Sequence, residues 1–206
     1  MSNLPFDTVG LCTEEIDRFH YTYKALKAKF QVETTGTIDF HLEQFEIFNS
    51  YMNFNLRDSF VIKHQQSDSY LFFLETQTKN FEKGSIAGCM EHQTWALAYL
   101  KHDFGRVLIR RETLADKIIE LVHHVELDFE EDKAFSDTFY VLTNDRAKAT
   151  RAIDRNFRNA VMDVREDDFI IEIVEHTLII GDRKPISPER AVFLAEFVTR
   201  VCNTCG

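Results

Sequence analysis

The stretch that decides the fold is residues 135–181, FSDTFYVLTNDRAKATRAIDRNFRNAVMDVREDDFIIEIVEHTLIIG. It reads as a strand, a helix and then two further strands. The run at 139–142 combines aromatic and branched side chains, which favour a pleated, half-buried surface. This order predicts a helix that lies across a pair of strands.

The helix of this stretch is predicted from its apolar spacing. Ala149, Ile153, Phe157 and Ala160 recur three or four positions apart, which places them on one face of a helix. Asn144 is the predicted N-cap, because its side-chain oxygen can accept a hydrogen bond from a free backbone N–H of the first turn. We therefore predict one continuous helix from this cap to residue 160.

The two strands that follow are predicted to form a hairpin. Apolar runs at 169–174 and 177–180 are separated by Glu175-His176, although this pair is not a favoured two-residue turn. Alternation is weak, because Ile170 and Ile171 place apolar groups on opposite faces. Strands of this kind are typical of the middle of a sheet that is covered on both faces.

The remaining chain adds further helices and strands. Thr13 is the predicted cap of a first helix, and Ser187 followed by Pro188 begins the last one. Residues 38–57 fit neither the helical nor the strand period cleanly, and we predict one or two strands there. The other predicted elements are a hairpin of 58–65 with 70–78, strands at 93–100 and 106–110, a loop at 80–88 and a helix at 112–124.

These elements predict an α+β fold, with a largely antiparallel sheet, or two small sheets, and about four helices. Phenylalanine occurs 19 times, which points to a core built on aromatic packing. No linker rich in Pro, Gly or Ser divides the chain, so we predict a single α+β domain, 1–206. The alternative is a subdivision near residues 80–90.

The chain is acidic, with a formal net charge of −10. An acidic surface repels phosphate backbones and anionic membrane surfaces, so we expect no nucleic acid and no membrane as partner. No apolar run reaches the length of about 18 residues that a membrane span needs, and the N-terminus lacks the features of a signal peptide. We therefore expect a cytoplasmic protein with reduced cysteines.

Motifs that carry chemistry are weak in this sequence. Cys202 and Cys205 form a C-x-x-C pair, but no second pair accompanies it, and it ends a helix, where the dipole disfavours a thiolate. The adjacent His123 and His124 point about 100° apart on a helix, so they do not chelate one ion. The acidic run 126–132 lacks the ligand spacing of a calcium loop. We predict no metal and no cofactor, and the catalytic residues are unknown.

A basic stripe follows the period of the predicted helix. Its members are Lys148, Arg151, Arg155 and Arg158. A cationic face on an acidic protein suits an acidic protein partner or a phosphate-bearing ligand. The alternative is that neighbouring aspartates (Asp145, Asp154 and the loop 163–168) neutralise the stripe.

Several segments resemble a loose family of uncharacterised bacterial proteins: QTWAL at 93–97, VELDF at 125–129 and FYVL at 139–142. In this family a Q-T-V-A-like strand precedes a D-I-D-F segment, and a strand with an F-x-x-x-Y pattern and a helix follow. The resemblance covers roughly residues 58–181. It implies no activity that transfers to a residue of this chain. Members often carry membrane spans upstream, and this sequence shows none.

Together these features predict a non-enzymatic binding or interaction module. The alternative is an enzyme or a small-ligand-binding protein whose site is built from dispersed His, Asp and Glu residues. A deep pocket lined by several histidines and carboxylates favours the alternative. A flat surface with an exposed arginine stripe favours the module.

Overall fold

The computed structural model describes residues 5–36, 38–64, 67–78, 90–111, 125–164 and 168–205. The helices within these ranges are α1 (Thr13–Lys29), α2 (Lys133–Ser136), α3 (Arg146–Ala152), α4 (Arg155–Met162) and α5 (Pro188–Cys205). The strands are β1 (Val32–Thr34), β2 (Tyr51–Ile62), β3 (Ser69–Thr78), β4 (Met90–Tyr99), β5 (Arg106–Arg111), β6 (Val125–Glu126), β7 (Phe139–Thr143), β8 (Ile170–Val174) and β9 (Thr177–Pro185).

These strands form one sheet in the order β1-β2-β3-β4-β9-β8-β5-β7-β6. Each pair of neighbours is antiparallel. The hairpin β8–β9 lies in the middle, where it joins the first four strands to the last three. The predicted α+β fold with a largely antiparallel sheet is confirmed, as one sheet and not as two small ones.

The sheet buries apolar side chains on both faces. Ile171 and Ile173 belong to the larger core, which the helices cover. Ile170 belongs to a second core on the other face, together with Trp95 and Phe48. Side chains alternate across a strand, so neighbouring residues of β8 enter different cores. The prediction that these strands are covered on both faces is confirmed.

Residues 40–51 cover the second face, and they do so mostly without strands. The buried carboxylate of Glu172 accepts hydrogen bonds from the backbone N–H groups of Glu46 and Ile47, both at 2.9 Å. These bonds satisfy N–H groups that a short helix leaves free at its start. The strand prediction for 38–57 is therefore wrong up to residue 50. The segment contains two 3₁₀-helices, Leu42–Gln44 and Glu46–Ser50.

The single helix predicted for 144–160 is also wrong, because the chain breaks it into α3 and α4. Ile153 leaves the helical conformation, and Asp154 then acts as the N-cap of α4. The Asp154 carboxylate accepts a hydrogen bond from the backbone N–H of Phe157 at 2.8 Å. The apolar spacing continues through the break, so periodicity alone does not reveal it.

The cap of α3 is Asp145 and not the predicted Asn144. The Asp145 carboxylate accepts a hydrogen bond from the backbone N–H of Lys148 at 3.0 Å. Asn144 is used across the sheet, where its side-chain oxygen accepts from the backbone N–H of Arg106 at 2.8 Å. A tertiary contact thus claims the residue that local capping preferences favour.

The outer helices begin close to the predicted positions. At α1 the N-cap is Cys12, one residue before the predicted Thr13, and the Glu15 carboxylate accepts the Cys12 backbone N–H at 2.8 Å. At α5 the Ser187 hydroxyl accepts from the backbone N–H of Arg190 at 3.2 Å, as expected for an N-cap.

Both predicted hairpins are confirmed. At the β8–β9 turn Glu175 has a φ of 55°, a left-handed conformation that a two-residue turn requires. The predicted loop at 80–88 and the predicted helix at 112–124 lie outside the described residues. So does the alternative boundary near 80–90, apart from Met90, and the single-domain reading stays a prediction.

We expect Ile171→Asp to yield insoluble protein. Ile171 is fully buried, and an ionised carboxylate there lacks partners at a cost of several kcal/mol. The control is Ile171→Val, which keeps the apolar contacts at a cost of about 1 kcal/mol. Soluble expression and thermal melting measure both. Soluble Ile171→Asp protein that melts cooperatively would contradict this placement.

Candidate functional site

The basic stripe predicted from the sequence does not form one face. Lys148 donates a hydrogen bond to the Asp103 carboxylate at 2.7 Å. Arg151 on α3 and Arg155 on α4 are exposed, with no ion pair to any residue in the described ranges. Arg158 is buried, with 6 % of its surface exposed. The four cations therefore differ in their surroundings: Lys148 is paired, Arg151 and Arg155 are exposed, and Arg158 is buried and paired.

Arg158 is held inside the protein by several contacts. Its Nε donates to the Asp132 carboxylate at 2.8 Å, and Nη1 donates to the Ile153 carbonyl at 3.0 Å. Its guanidinium lies 4.7 Å from the centre of the Phe129 ring. A buried charge needs such partners to offset its desolvation. Arg158 thus fastens the acidic connector 126–132 to α4, and its side chain is not presented to solvent.

The structure describes the two cysteines of the C-x-x-C pair but not the two adjacent histidines. Cys202 is buried in α5 and Cys205 ends that helix, while His123 and His124 lie outside the described ranges. Within those ranges, one group of potential metal ligands gathers at an exposed turn: Asp39, His41 and Glu43. The His41 Nδ1 lies 3.4 Å from an Asp39 carboxylate oxygen and 3.5 Å from a Glu43 carboxylate oxygen.

A cleft of about 850 Å³ opens at the edge of the sheet, where β1 and β2 meet α1. This volume falls within the range of about 300–1,000 Å³ that is usual for small-molecule sites. Its walls combine the N-terminal arm, α1, β1 with the following turn, and β2. Residues that define its chemistry are Phe6, Tyr23, Lys27, Val32, Leu56 and Asp58.

A β-bulge in β2 shapes the cleft. Leu56 lies opposite Leu74 and Asp58 lies opposite Phe73, so the backbone of the intervening Arg57 is paired with no residue of β3 in the ladder. A bulge bends its strand and redirects side chains from strict alternation. Consecutive residues of β2, from Leu56 to Ser59, line the cleft as a result.

Asp58 has few hydrogen-bond partners in the cleft. Its Oδ1 accepts a hydrogen bond of 3.4 Å from the backbone N–H of Asp7. Its Oδ2 is buried and accepts no hydrogen bond from any residue in the described part of the chain. Burial raises the pKa of Asp58 to about 6, and the Asp7 N–H and the charge of Arg57 offset this only in part.

The hydrogen bonds of the neighbouring Arg57 go to groups other than the Asp58 carboxylate. Its Nη1 donates to the Glu75 carboxylate at 2.7 Å, and Nη2 donates to the Val9 carbonyl. His92 lies between Glu75 and Glu15, with Nδ1 at 3.1 Å from Glu15 and Nε2 at 3.4 Å from Glu75. This network ties α1 to β2, β3 and β4 beside the cleft, and it occupies the cation nearest to Asp58 in sequence.

Sequence reasoning did not find this site. Its residues come from four separate segments, and their spacing matches no motif. The one local signal is a carboxylate inside a predicted strand, between Leu56 and Phe60. We predicted residue 58 only as the start of a strand.

Another protein has a similar fold, although its sequence differs from that of this chain. No family model matches this chain, and no curated protein matches it. The crystal structure of the mycobacterial trehalose monomycolate transport factor A, TtfA, is similar, with a TM-score of 0.55 and 12 % sequence identity over 94 % of this chain and 95 % of that one. At this identity the likeness concerns the fold alone. The resemblance to uncharacterised bacterial proteins stays a prediction.

Among the described residues, no helix is both long enough and apolar enough to cross a bilayer.

We expect Asp58→Asn to raise the free energy of unfolding by roughly 1 kcal/mol at neutral pH, after allowance for solvent screening. Because the pKa of Asp58 is raised to about 6 in the folded protein, the wild type loses stability as the pH rises from about 4 through 6. The asparagine variant lacks this loss, so its advantage grows over that interval.

Urea unfolding at about pH 4 and about pH 7.5 measures this difference. The control is Asp17→Asn, which removes an exposed carboxylate of α1. An Asp58→Asn effect that is equal at both pH values, or a loss of stability at neutral pH, contradicts the assigned environment.

Proposed function

We propose that this protein is a non-enzymatic binding protein that holds a small organic molecule in the cleft between α1, β1 and β2. The observation that carries the proposal is the cleft itself. It combines a volume of about 850 Å³ with walls that are about half apolar and half polar, and with the partly buried Asp58, whose Oδ2 accepts no hydrogen bond from the described residues. A concave site that combines apolar surface with placed polar groups is typical of small-molecule binding.

The side chains of the cleft favour binding over catalysis. Its described lining contains no histidine and no cysteine. The Ser59 hydroxyl is hydrogen-bonded to the Thr35 hydroxyl. A nucleophile needs a neighbouring base that accepts its proton, or a lowered pKa, to be active. The cleft contains carboxylates but not the histidines of the pocket that would favour an enzyme.

The similarly folded protein adds limited support. TtfA is a transport factor, and a binding role for this chain agrees with that. Fold alone does not transfer a function, so the cleft carries the proposal.

We expect Leu56→Trp to block the cleft and to weaken ligand binding at least tenfold. Leu56 is a partly exposed residue of the cleft wall, so the larger ring fills space without entering the core. Met52→Trp is the matched control, because Met52 lies on the same strand with 36 % exposure, against 37 % for Leu56, and outside the cleft lining.

A library of small fragments, screened by protein-observed NMR, tests this expectation. Fragments that bind the wild type are expected to shift the amide signals of Thr34, Asp58 and Ser59. Binding is lost in Leu56→Trp and kept in Met52→Trp. Fragments that bind both variants equally, or that shift signals scattered over the surface, would falsify the proposal.

A second candidate function concerns the exposed arginines. Arg151 and Arg155 carry no ion pair within the described ranges, on a chain whose net charge is −10. Two free cations on adjacent helices suit an acidic protein segment, and their attraction is sensitive to salt. Lys148 and Arg158 are not part of this surface, because both are already paired.

We expect the double reversal Arg151→Glu with Arg155→Glu to abolish binding of a synthetic peptide of alternating Glu and Asp. Removing both attractive charges and adding two repulsive ones costs more than tenfold in affinity at low salt. The control is Arg18→Glu with Lys24→Glu, which makes the same change in net charge at exposed sites of α1. Equal titration curves for the two double variants would retire this candidate.

A further inference from the structure

Resting on the proposed function, we infer that the ligand of the cleft is an organic cation: a protonated amine that meets the Asp58 carboxylate, carried on an apolar body that lies between α1 and β2. The Asp58 carboxylate is then the group that selects the chemical class of the ligand.

The Asp58 carboxylate has few hydrogen-bond donors around it. Its Oδ2 is buried and accepts no hydrogen bond within the described part of the chain, while Oδ1 accepts only the 3.4 Å bond from the Asp7 N–H. A buried carboxylate is stable only with donors or a counter-charge. A ligand ammonium supplies both, since it carries three donors and a positive charge.

Acidic groups are more numerous than unpaired cations around Asp58. The N-terminal arm and β1 contribute further carboxylates, Asp7 and Glu33, and α1 contributes the cation Lys27 and the phenol of Tyr23. Arg57 of β2 is directed to Glu75 of β3 and to the Val9 carbonyl. The acidic groups therefore outnumber the cations that are available to pair with them. This excess of negative charge favours a positively charged ligand over an anion. The titratable and charged groups that line the cleft with Asp58 are Asp7, Tyr23, Lys27, Glu33 and Arg57, and Glu75 is paired with Arg57.

The number of ligand atoms in the cleft suits an organic cation and not a metal ion. Calcium and magnesium need about six or more oxygen ligands. Among the described residues, three neighbouring metal-ligating side chains lie together at residues 39–43 and not around Asp58. One carboxylate oxygen suits a single ammonium and leaves a hard metal ion short of ligands.

The walls of the cleft offer apolar and aromatic surface to a ligand. Phe6, Val32 and Leu56 offer apolar surface to the body of a ligand. The Tyr23 ring already attracts a cation, because the Lys27 Nζ lies over it at 5.6 Å from the ring centre. Cations bind to aromatic faces through the ring quadrupole. An amine with an aromatic or alkyl body therefore matches the walls as well as the charge.

A pH dependence follows from the same geometry. The pKa of Asp58 is raised to about 6 by burial, so the carboxylate is mostly neutral at about pH 5 and mostly ionised at about pH 7.5. An amine with a pKa near 10 stays protonated throughout. Its binding is expected to tighten as the pH rises through about 6, whereas a neutral ligand of the same shape shows no such change.

Phenethylamine, 2-phenylethanol and 3-phenylpropanoate are the probes, because they share a ring and differ in charge. Protein-observed NMR titration at about pH 7.5 is expected to give at least tenfold tighter binding for the amine than for the alcohol. Signals of Asp58, Ser59 and Thr34 report the site. At about pH 5 the preference is expected to shrink to less than threefold.

Two variants separate the inference from the proposed function. Asp58→Asn is expected to remove the amine preference and to keep binding of the alcohol, and Leu56→Trp is expected to remove both. If the alcohol or the carboxylate binds the wild type as well as the amine does, and Leu56→Trp still blocks them, the cleft is a binding site but the inference is overturned. If no probe binds in the cleft, the proposed function fails together with the inference.

Discussion

Burial of the central strands on both faces is the constraint on which the rest of the structure depends. Ile170 and Ile171 are neighbours on β8, yet they enter two different cores. An apolar sheet that is buried on both faces needs two covering layers. The helices form one layer, and the segment 40–51 forms the other. Gly181 serves the same packing, because a Cβ there would meet the Trp95 ring at 2.3 Å.

Buried ionic contacts hold these layers in place. Glu172 is 1 % exposed, accepts two backbone N–H groups of the second layer, and pairs with Arg106 at 2.6 Å. Burial raises the pKa of Glu172, while these donors favour its ionised form. Arg158 does the same for the helical layer through Asp132. Such charges are costly to bury and costly to leave without their partners, so they specify where the covering segments lie.

The cleft lies at the edge of the sheet, where this double cover ends. β1 is three residues long and pairs only with the end of β2. The bulge at Arg57 then turns several residues of β2 towards the open space. Asp58 is left there with incomplete partners, and a group of this kind in a concave site is a candidate for function and not for stability. The architecture and the proposed binding site thus have a common origin in the incomplete cover of one edge.

The amino-acid sequence by itself determined the elements that depend on local signals. The α+β class, both hairpins and the Ser187 cap follow from periodicity and capping, which act within a few residues. Tertiary structure alone decided the break at Asp154, the use of Asn144 by the sheet and the burial of Arg158, because distant partners outweigh local preference in each case. It also decided the cleft, whose residues are brought together only by the pairing of β1 with β2 and the packing of α1.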